Sequence, residues 1–254
     1  AALRAELGSA LAMAGKVEKA IEQFQAAASL NPWRPNVARH LSSLFERRGQ
    51  YSKAIKVLKR AAEANSQNPD FLCSYGDAAM HRWMLEDAIS AYRKALEADP
   101  GFPYARVRLA RALARRHEYD KARSLLEEML QNDNGQYVPA AVALGHILTS
   151  QGRTEQAAQV LSKAAFASDA EEMRRRALAR LGLQTGDHQQ AIKNAQIAAS
   201  IGEDARSYAL LSRAFLTAGE ISKARTAARK ATGANPFPAR GHLAKARVSA
   251  HDEN

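Results

Sequence analysis

Small and apolar residues return along the chain in columns that share one long period. Alanine stands at Ala20, Ala54, Ala88, Ala122, Ala157, Ala191 and Ala224, at intervals of 34, 34, 34, 35, 34 and 33 residues. Thirteen residues before each come Leu7, Leu41, Tyr75, Leu109, Leu144, Leu178 and Leu211. One place later stand the small or polar Gly8, Ser42, Gly76, Ala110, Gly145, Ala179 and Ser212. Seven residues after each alanine comes Ala27, Ala61, Ala95, Met129, Ala164, Ala198 or Ala231. Five residues before it lies a turn signal, Gly15, Gly49, Gly152, Gly186 or Gly219, with Trp83 and His117 as exceptions. Ala, Leu, Glu, Lys, Arg and Gln fill nearly every window between these marks, and β-branched runs are short, so the segments on both sides of each turn predict helices. Each period therefore predicts helix, short turn, helix, repeated along the chain.

The first period, with Leu7, Gly8, Leu11, Gly15, Ala20, Phe24, Ala27 and Pro32, follows a known consensus closely. The pattern resembles the tetratricopeptide repeat over almost the whole chain. That resemblance implies an all-α, right-handed α-solenoid (superhelix) of seven repeats, at about 1–34, 35–68, 69–102, 103–137, 138–171, 172–204 and 205–238. Residues 239–254 follow as a C-terminal capping helix or a truncated eighth repeat with a tail. Lys245 takes the column that is leucine elsewhere, which suits a cap. Because each repeat of a solenoid touches only its neighbours, an elongated superhelix is expected, with first helices on its concave face and second helices on its convex face.

The small columns let helix backbones approach, and the larger Phe24, Leu58, Tyr92, Leu126 and Leu161 are expected to fill the gap toward the next repeat. Their counterparts Ala195 and Ala228, together with Gly182, leave the sixth and seventh repeats with less apolar volume, so that end is expected to be the more mobile one. Pro32, Pro69, Pro100, Pro103 and Pro236 fall between second helices and the first helices that follow, where a missing amide does no harm. Asn134, Asp169 and Glu203 replace the family's terminal proline in the middle repeats.

Charge and chemistry narrow the function classes. The net charge is +11, which favours anionic partners without choosing among an acidic protein, nucleic acid, an anionic glycan and a lipid surface. No stretch approaches the length of uncharged apolar residues that crosses a bilayer, and no signal peptide is visible. The chain opens at Ala1 inside a helical pattern and so reads as an excised or processed fragment. The lone Cys73 forms no internal disulfide and leaves the compartment open. Phosphate-binding glycine loops, a nucleophile elbow, a zinc helix and paired cysteine ligands are absent, and the seven histidines are scattered without ligand spacing. Acidic neighbours such as Glu127 and Glu128 point in different directions around a helix. The sequence predicts no enzyme, no cofactor and no metal site.

In the resembling family the concave face is made by the second, fifth, ninth and twelfth residues of each repeat. Those places hold Glu46, Asp70 and Asp77 in repeats two and three. In repeats four to seven they hold Tyr104, Arg111, Val142, His146, Arg176, Arg180, Leu183, Arg206, Arg213 and Leu216, and these ten are the candidate partner-binding residues. Stacking would align Arg111, His146, Arg180 and Arg213 into a basic ladder, suited to carboxylate or phosphate through the planar guanidinium fork. The same arginines could instead pair with acidic residues of neighbouring helices or simply hydrate. A carboxylate clamp of the kind that the family uses for peptide C-termini is disfavoured, since no ninth place holds Asn. The leading expectation is a protein-interaction scaffold that holds an acidic or amphipathic partner segment in its groove. The alternatives are a module for a polyanion, an acidic polysaccharide or RNA, and a self-assembling solenoid. The groove's few aromatics weigh against RNA.

Overall fold

The computed structural model describes residues 1–30, 35–132, 137–164, 168–234 and 239–252, and among them every regular element is an α-helix. Helices alternate as first and second members of a pair. The pairs are α1 (Ala2–Met13) with α2 (Val17–Leu30), α3 (Pro35–Arg47) with α4 (Tyr51–Ala64), and α5 (Pro69–His81) with α6 (Leu85–Ala98). Next come α7 (Pro103–Arg115) with α8 (Tyr119–Asn132), α9 (Val138–Ser150) with α10 (Thr154–Lys163), and α11 (Ser168–Thr185) with α12 (His188–Gly202). The last pair, α13 (Ala205–Thr217) with α14 (Ile221–Gly233), is followed by α15 (Ala239–Asp252). The chain groups into two compact units, Ala1–Ala122 and Arg123–Asn254.

One backbone device recurs in the turns within pairs. In six of them the amide just past the turn donates to a carbonyl five residues back, as from Lys16 to Leu11, Gln50 to Phe45, Met84 to Ala79, Glu118 to Leu113, Arg153 to Leu148 and Glu220 to Phe215. This closure forces the intervening residue into the left-handed region, where glycine is at ease. Five glycines sit there, with φ between 70° and 79°. Trp83 at φ 60° and His117 at φ 64° adopt the same conformation, which costs an L residue about 1–2 kcal/mol. Helix starts use local caps: Pro69 and Pro103 open α5 and α7, the Asn68 side chain accepts from the Asp70 amide, and Asp187 and Asp204 accept from Gln190 and Ser207. Pro32, Pro236 and Asn134 lie outside the described residues. α11 begins at Ser168, ahead of the expected repeat start at 172, and Glu203 ends α12 with φ 45°.

The small column and the large column are partners inside one repeat. A Cβ placed on Gly8 would lie 3.1 Å from the Phe24 ring, on Gly76 2.6 Å from Tyr92, and on Gly145 3.0 Å from Leu161. Phe24 also stacks on His40 of the next repeat, with centroids 5.4 Å apart, so Phe24 closes gaps in both directions. Gly182 does not leave the space that its sequence suggests. A Cβ there would meet the Ala191 amide and the Asp187 carbonyl, each 2.9 Å away, so α11 and α12 fill the missing volume by bringing their backbones together. α15 buries Ala244 and Val248 against Phe215, Ala224, Ala227 and Ala228, and contacts α14 and α13 as a further first helix would. Lys245 is exposed beside them.

An ion-pair network braces the Arg123–Asn254 unit. Glu171 accepts from Arg174 at 2.7 Å and from Arg175 at 2.6 Å, and Arg175 reaches Asn194 on α12 at 3.0 Å. Glu172 accepts the Ser207 hydroxyl at 2.8 Å, which ties α11 to α13. Hydrogen bonding to Arg174, joined by Arg175, holds the Glu171 carboxyl below its usual range. Burial pushes Asp204 upward, but the Ser207 amide and the Arg176 charge outweigh it and leave Asp204 lowered. Carboxyls depressed by folding contribute stability above their unfolded pKa values, about 4, and lose it as pH falls through the folded ones. Melting temperature should therefore hold from pH 7 to about pH 5 and decline below about pH 4. Glu171→Gln should melt lower at neutral pH and flatten that decline; an unchanged acid slope would mean that the network does not set acid stability.

Candidate functional site

The predicted groove residues do not form one continuous set. In the Ala1–Ala122 unit, the Tyr104 hydroxyl donates to Asp77 Oδ2 at 2.5 Å and accepts from Arg108 at 2.6 Å. Asp77 also accepts from the Tyr92 hydroxyl at 2.7 Å and pairs with Arg108 at 3.2 Å. The Tyr104 hydroxyl is thus engaged within the protein while its ring stays 37% exposed, and the acid at Asp77 is already answered. Burial pushes the adjoining Cys73 thiol up to about 12, helped by Asp77 and Asp70, and the residue is only 2% exposed. Arg111 lies half-buried on α7 of the same unit.

In the Arg123–Asn254 unit, two candidates turn inward. Val142 is 3% exposed and belongs to the core of α9. Arg176 is held between Glu172 at 3.0 Å and Asp204 at 3.2 Å, with 14% of its side chain exposed, so it locks α11 to the start of α13. Leu183 packs at the edge of the small-residue cluster around Ala179, Ala191, Ala195, Leu210 and Ala214. His146 stands exposed on α9.

The remaining four converge. Arg180 of α11, with Arg206, Arg213 and Leu216 of α13, lines a groove of about 250 Å³ that α15 completes with Leu243, Ala244 and Arg247. Its floor is Ala209, Leu210 and Ser212. Arg180, Arg206, Arg213 and Arg247 are exposed, and Leu243 stays 51% exposed above an apolar bed. No carboxylate lines the groove among the described residues. Arg206, Arg213 and Arg247 around a partly apolar trough repel one another, and an anion placed among them relieves that repulsion while it gains charge-assisted hydrogen bonds. The sequence reading missed Arg247 and Leu243. Arg247 stands 34 residues after Arg213 and so continues the ninth-place column, a signal that the lysine at 245 obscured.

No group of histidine, cysteine and acidic residues that could hold a metal occurs among the described residues, and no helix there is long and apolar enough to cross a membrane. Paired helices with small-residue columns between them define a helical-repeat protein. Family profiles described as tetratricopeptide repeat match residues 40–103, 84–137, 113–181 and 205–238. The chain belongs to the tetratricopeptide repeat family, and its fold is the all-α solenoid class of that family. No curated protein sequence matches it significantly.

Among solved structures, a tetratricopeptide repeat protein from Parabacteroides merdae is similar at TM-score 0.71 and 16% identity, over 97% of each chain. Yeast Tom70 is similar at TM-score 0.74 and 16% identity, over 92% of this chain and 50% of its own. The APC/C hetero-tetramer Cut9–Hcn1 is similar at TM-score 0.59 and 17% identity, over 93% of this chain and 47% of its own. At these identities the likeness is one of fold. In general terms the chain is a protein–protein interaction scaffold of a family whose members are typically non-catalytic.

Proposed function

We propose that the groove of Arg180, Arg206, Arg213 and Arg247 holds an acidic segment of a protein partner, with an apolar side chain of that segment seated against Leu216 and Leu243. The observation that carries this reading is the convergence of Arg206, Arg213 and Arg247 from two helices, beside Arg180 of a third, on one trough with no carboxylate among the described residues of its wall. Guanidinium takes carboxylate through two parallel hydrogen bonds, whereas the leucines add non-directional attraction for an apolar neighbour. The Cut9–Hcn1 assembly, in which a protein of similar fold stands in a complex with another protein, accords with such a role.

A selection from randomised displayed peptides on the immobilised chain tests the proposal whatever the natural partner is. Enriched sequences should place Asp or Glu on either side of a Leu, Ile or Phe, and Arg213→Glu with Arg247→Glu should abolish the enrichment. Enrichment without acidic residues would overturn the reading.

A further inference from the structure

A second surface lies on the edge of the Ala1–Ala122 unit formed by the turns within helix pairs. Tyr51, at the start of α4, carries the Arg82 guanidinium 3.5 Å from its ring centroid. One repeat later Trp83 carries Arg115 at 5.0 Å. In both steps the cation comes from the end of the following first helix, Arg82 just past α5 and Arg115 as the last residue of α7. The next turn sets His117 edge-on to Tyr119, with centroids 5.7 Å apart and the imidazole Nδ1 3.0 Å from the phenol oxygen. Trp83 remains 72% exposed and Tyr51 43% exposed, so both rings keep surface open to solvent.

This arrangement is not a by-product of turn geometry. The turn asks for glycine, and five repeats supply it, yet Trp83 occupies the left-handed position with its indole in water. Of the carboxylates nearby, Arg116 holds Glu86 at 2.7 Å and also pairs with Glu118, which Lys121 contacts at 2.7 Å, while Glu46 stands exposed beside Tyr51 and Arg82. Arg82 and Arg115 are set against rings. Two successive repeats therefore each present an aromatic ring with an arginine beside it.

A ligand that answers two neighbouring pairs of this kind offers flat rings and negative charges in alternation along a flexible polymer. We propose that the turn edge built on Tyr51, Arg82, Trp83 and Arg115 binds single-stranded nucleic acid, its bases stacked on the rings and its phosphates held by the arginines. Bases stack on aromatic side chains largely without regard to sequence, and helical repeats can take one base each. A protein partner would also make use of Trp, Tyr and Arg, and the test below separates the two. The strip and the arginine groove lie in different units, so failure of either proposal leaves the other standing.

The test is fluorescence anisotropy of the whole chain with labelled oligouridylate and oligodeoxythymidylate of about twelve nucleotides, a length within the usual site size. Both should bind, and an abasic strand of equal length should bind about tenfold more weakly, the loss expected for base stacking. With Trp33→Phe, which leaves Trp83 as the sole tryptophan, binding should quench the remaining emission. Trp83→Gly should bind about tenfold more weakly while it melts at or above the wild-type temperature, since glycine suits the turn. Trp83→Phe should restore most of the affinity. Arg115→Gln should weaken binding and reduce its salt dependence. Failure to bind either oligonucleotide, equal affinity for the abasic strand, or unchanged affinity of Trp83→Gly would overturn the proposal. Loss of an acidic peptide by Trp83→Gly, with no oligonucleotide binding, would make the strip a protein-docking surface instead.

Discussion

Reversal of charge at Arg213 and Arg247 together is expected to weaken an acidic peptide of the selected kind by about a hundredfold at low salt, roughly 2.7 kcal/mol. Each exposed pair alone contributes little, about 0.2–1 kcal/mol, but reversal both removes an attraction and adds a repulsion at two adjoining points of one trough. Both side chains are exposed and lie outside the buried columns, so the variant should keep its helical signal and melting temperature. The control is Lys163→Glu with Lys193→Glu, an equal change of net charge on exposed residues of α10 and α12. That pair should lose only the long-range part, which fades as salt rises to about 0.15 M, where the screening length is about 8 Å. Titration of one labelled peptide against both variants at two salt concentrations separates the cases. Equal losses from the two pairs would reduce the groove to unspecific attraction by a basic chain.

The largest effect on stability is expected at Gly76. Gly76→Val should lower stability by about 3 kcal/mol, because even its Cβ would lie 2.6 Å from a Tyr92 ring that has no free direction of retreat. Tyr92 is fully buried, and its hydroxyl is anchored on Asp77, so displacement of the ring also strains the bonds that Tyr104 and Arg108 make to the same carboxylate. The contrast is Gly233→Ala, at the end of α14, where a Cβ meets nothing within 4 Å and helix propensity favours alanine. That variant should melt at or slightly above the wild type. Thermal denaturation of both variants decides the matter, and near wild-type melting of Gly76→Val would mean that α5 and α6 are not in this contact.

The repeat itself was legible because close helix contact restricts residue size at fixed places. Gly8, Gly76 and Gly145 are small for the same reason that Phe24, Tyr92 and Leu161 are large, and that complementarity recurs at constant spacing. Gly182 marks where this logic stops: a missing side chain reads as lost volume in a sequence, but α11 and α12 respond by moving together. The site was legible in part. Arg180, Arg206, Arg213 and Leu216 follow from register, since exposure on a first helix is set by place in the repeat. Arg176 and Tyr104 hold places of the same kind and yet their polar groups are bonded within the protein, because their partners Asp204 and Asp77 lie 28 and 27 residues away. Such pairings depend on side-chain reach between helices, which no column of residue types records. Trp83 stands at a turn place that the register marks, but its contact with Arg115, like that of Tyr51 with Arg82, joins two repeats, and no column of residue types records it.

The buried Cys73 has a practical consequence. Its thiol is both shielded and held far from ionisation at neutral pH, and only the thiolate attacks a disulfide or alkylating reagent. While α5 stays seated, thiol reagents find no nucleophile. Cys73 is the sole cysteine of the chain, so each modification event records one departure of α5 from its neighbours. Where reclosing is fast, the rate of modification reports how often that helix opens. The native sequence thus carries its own clock for local opening of the third repeat, and no engineered label is needed to read it.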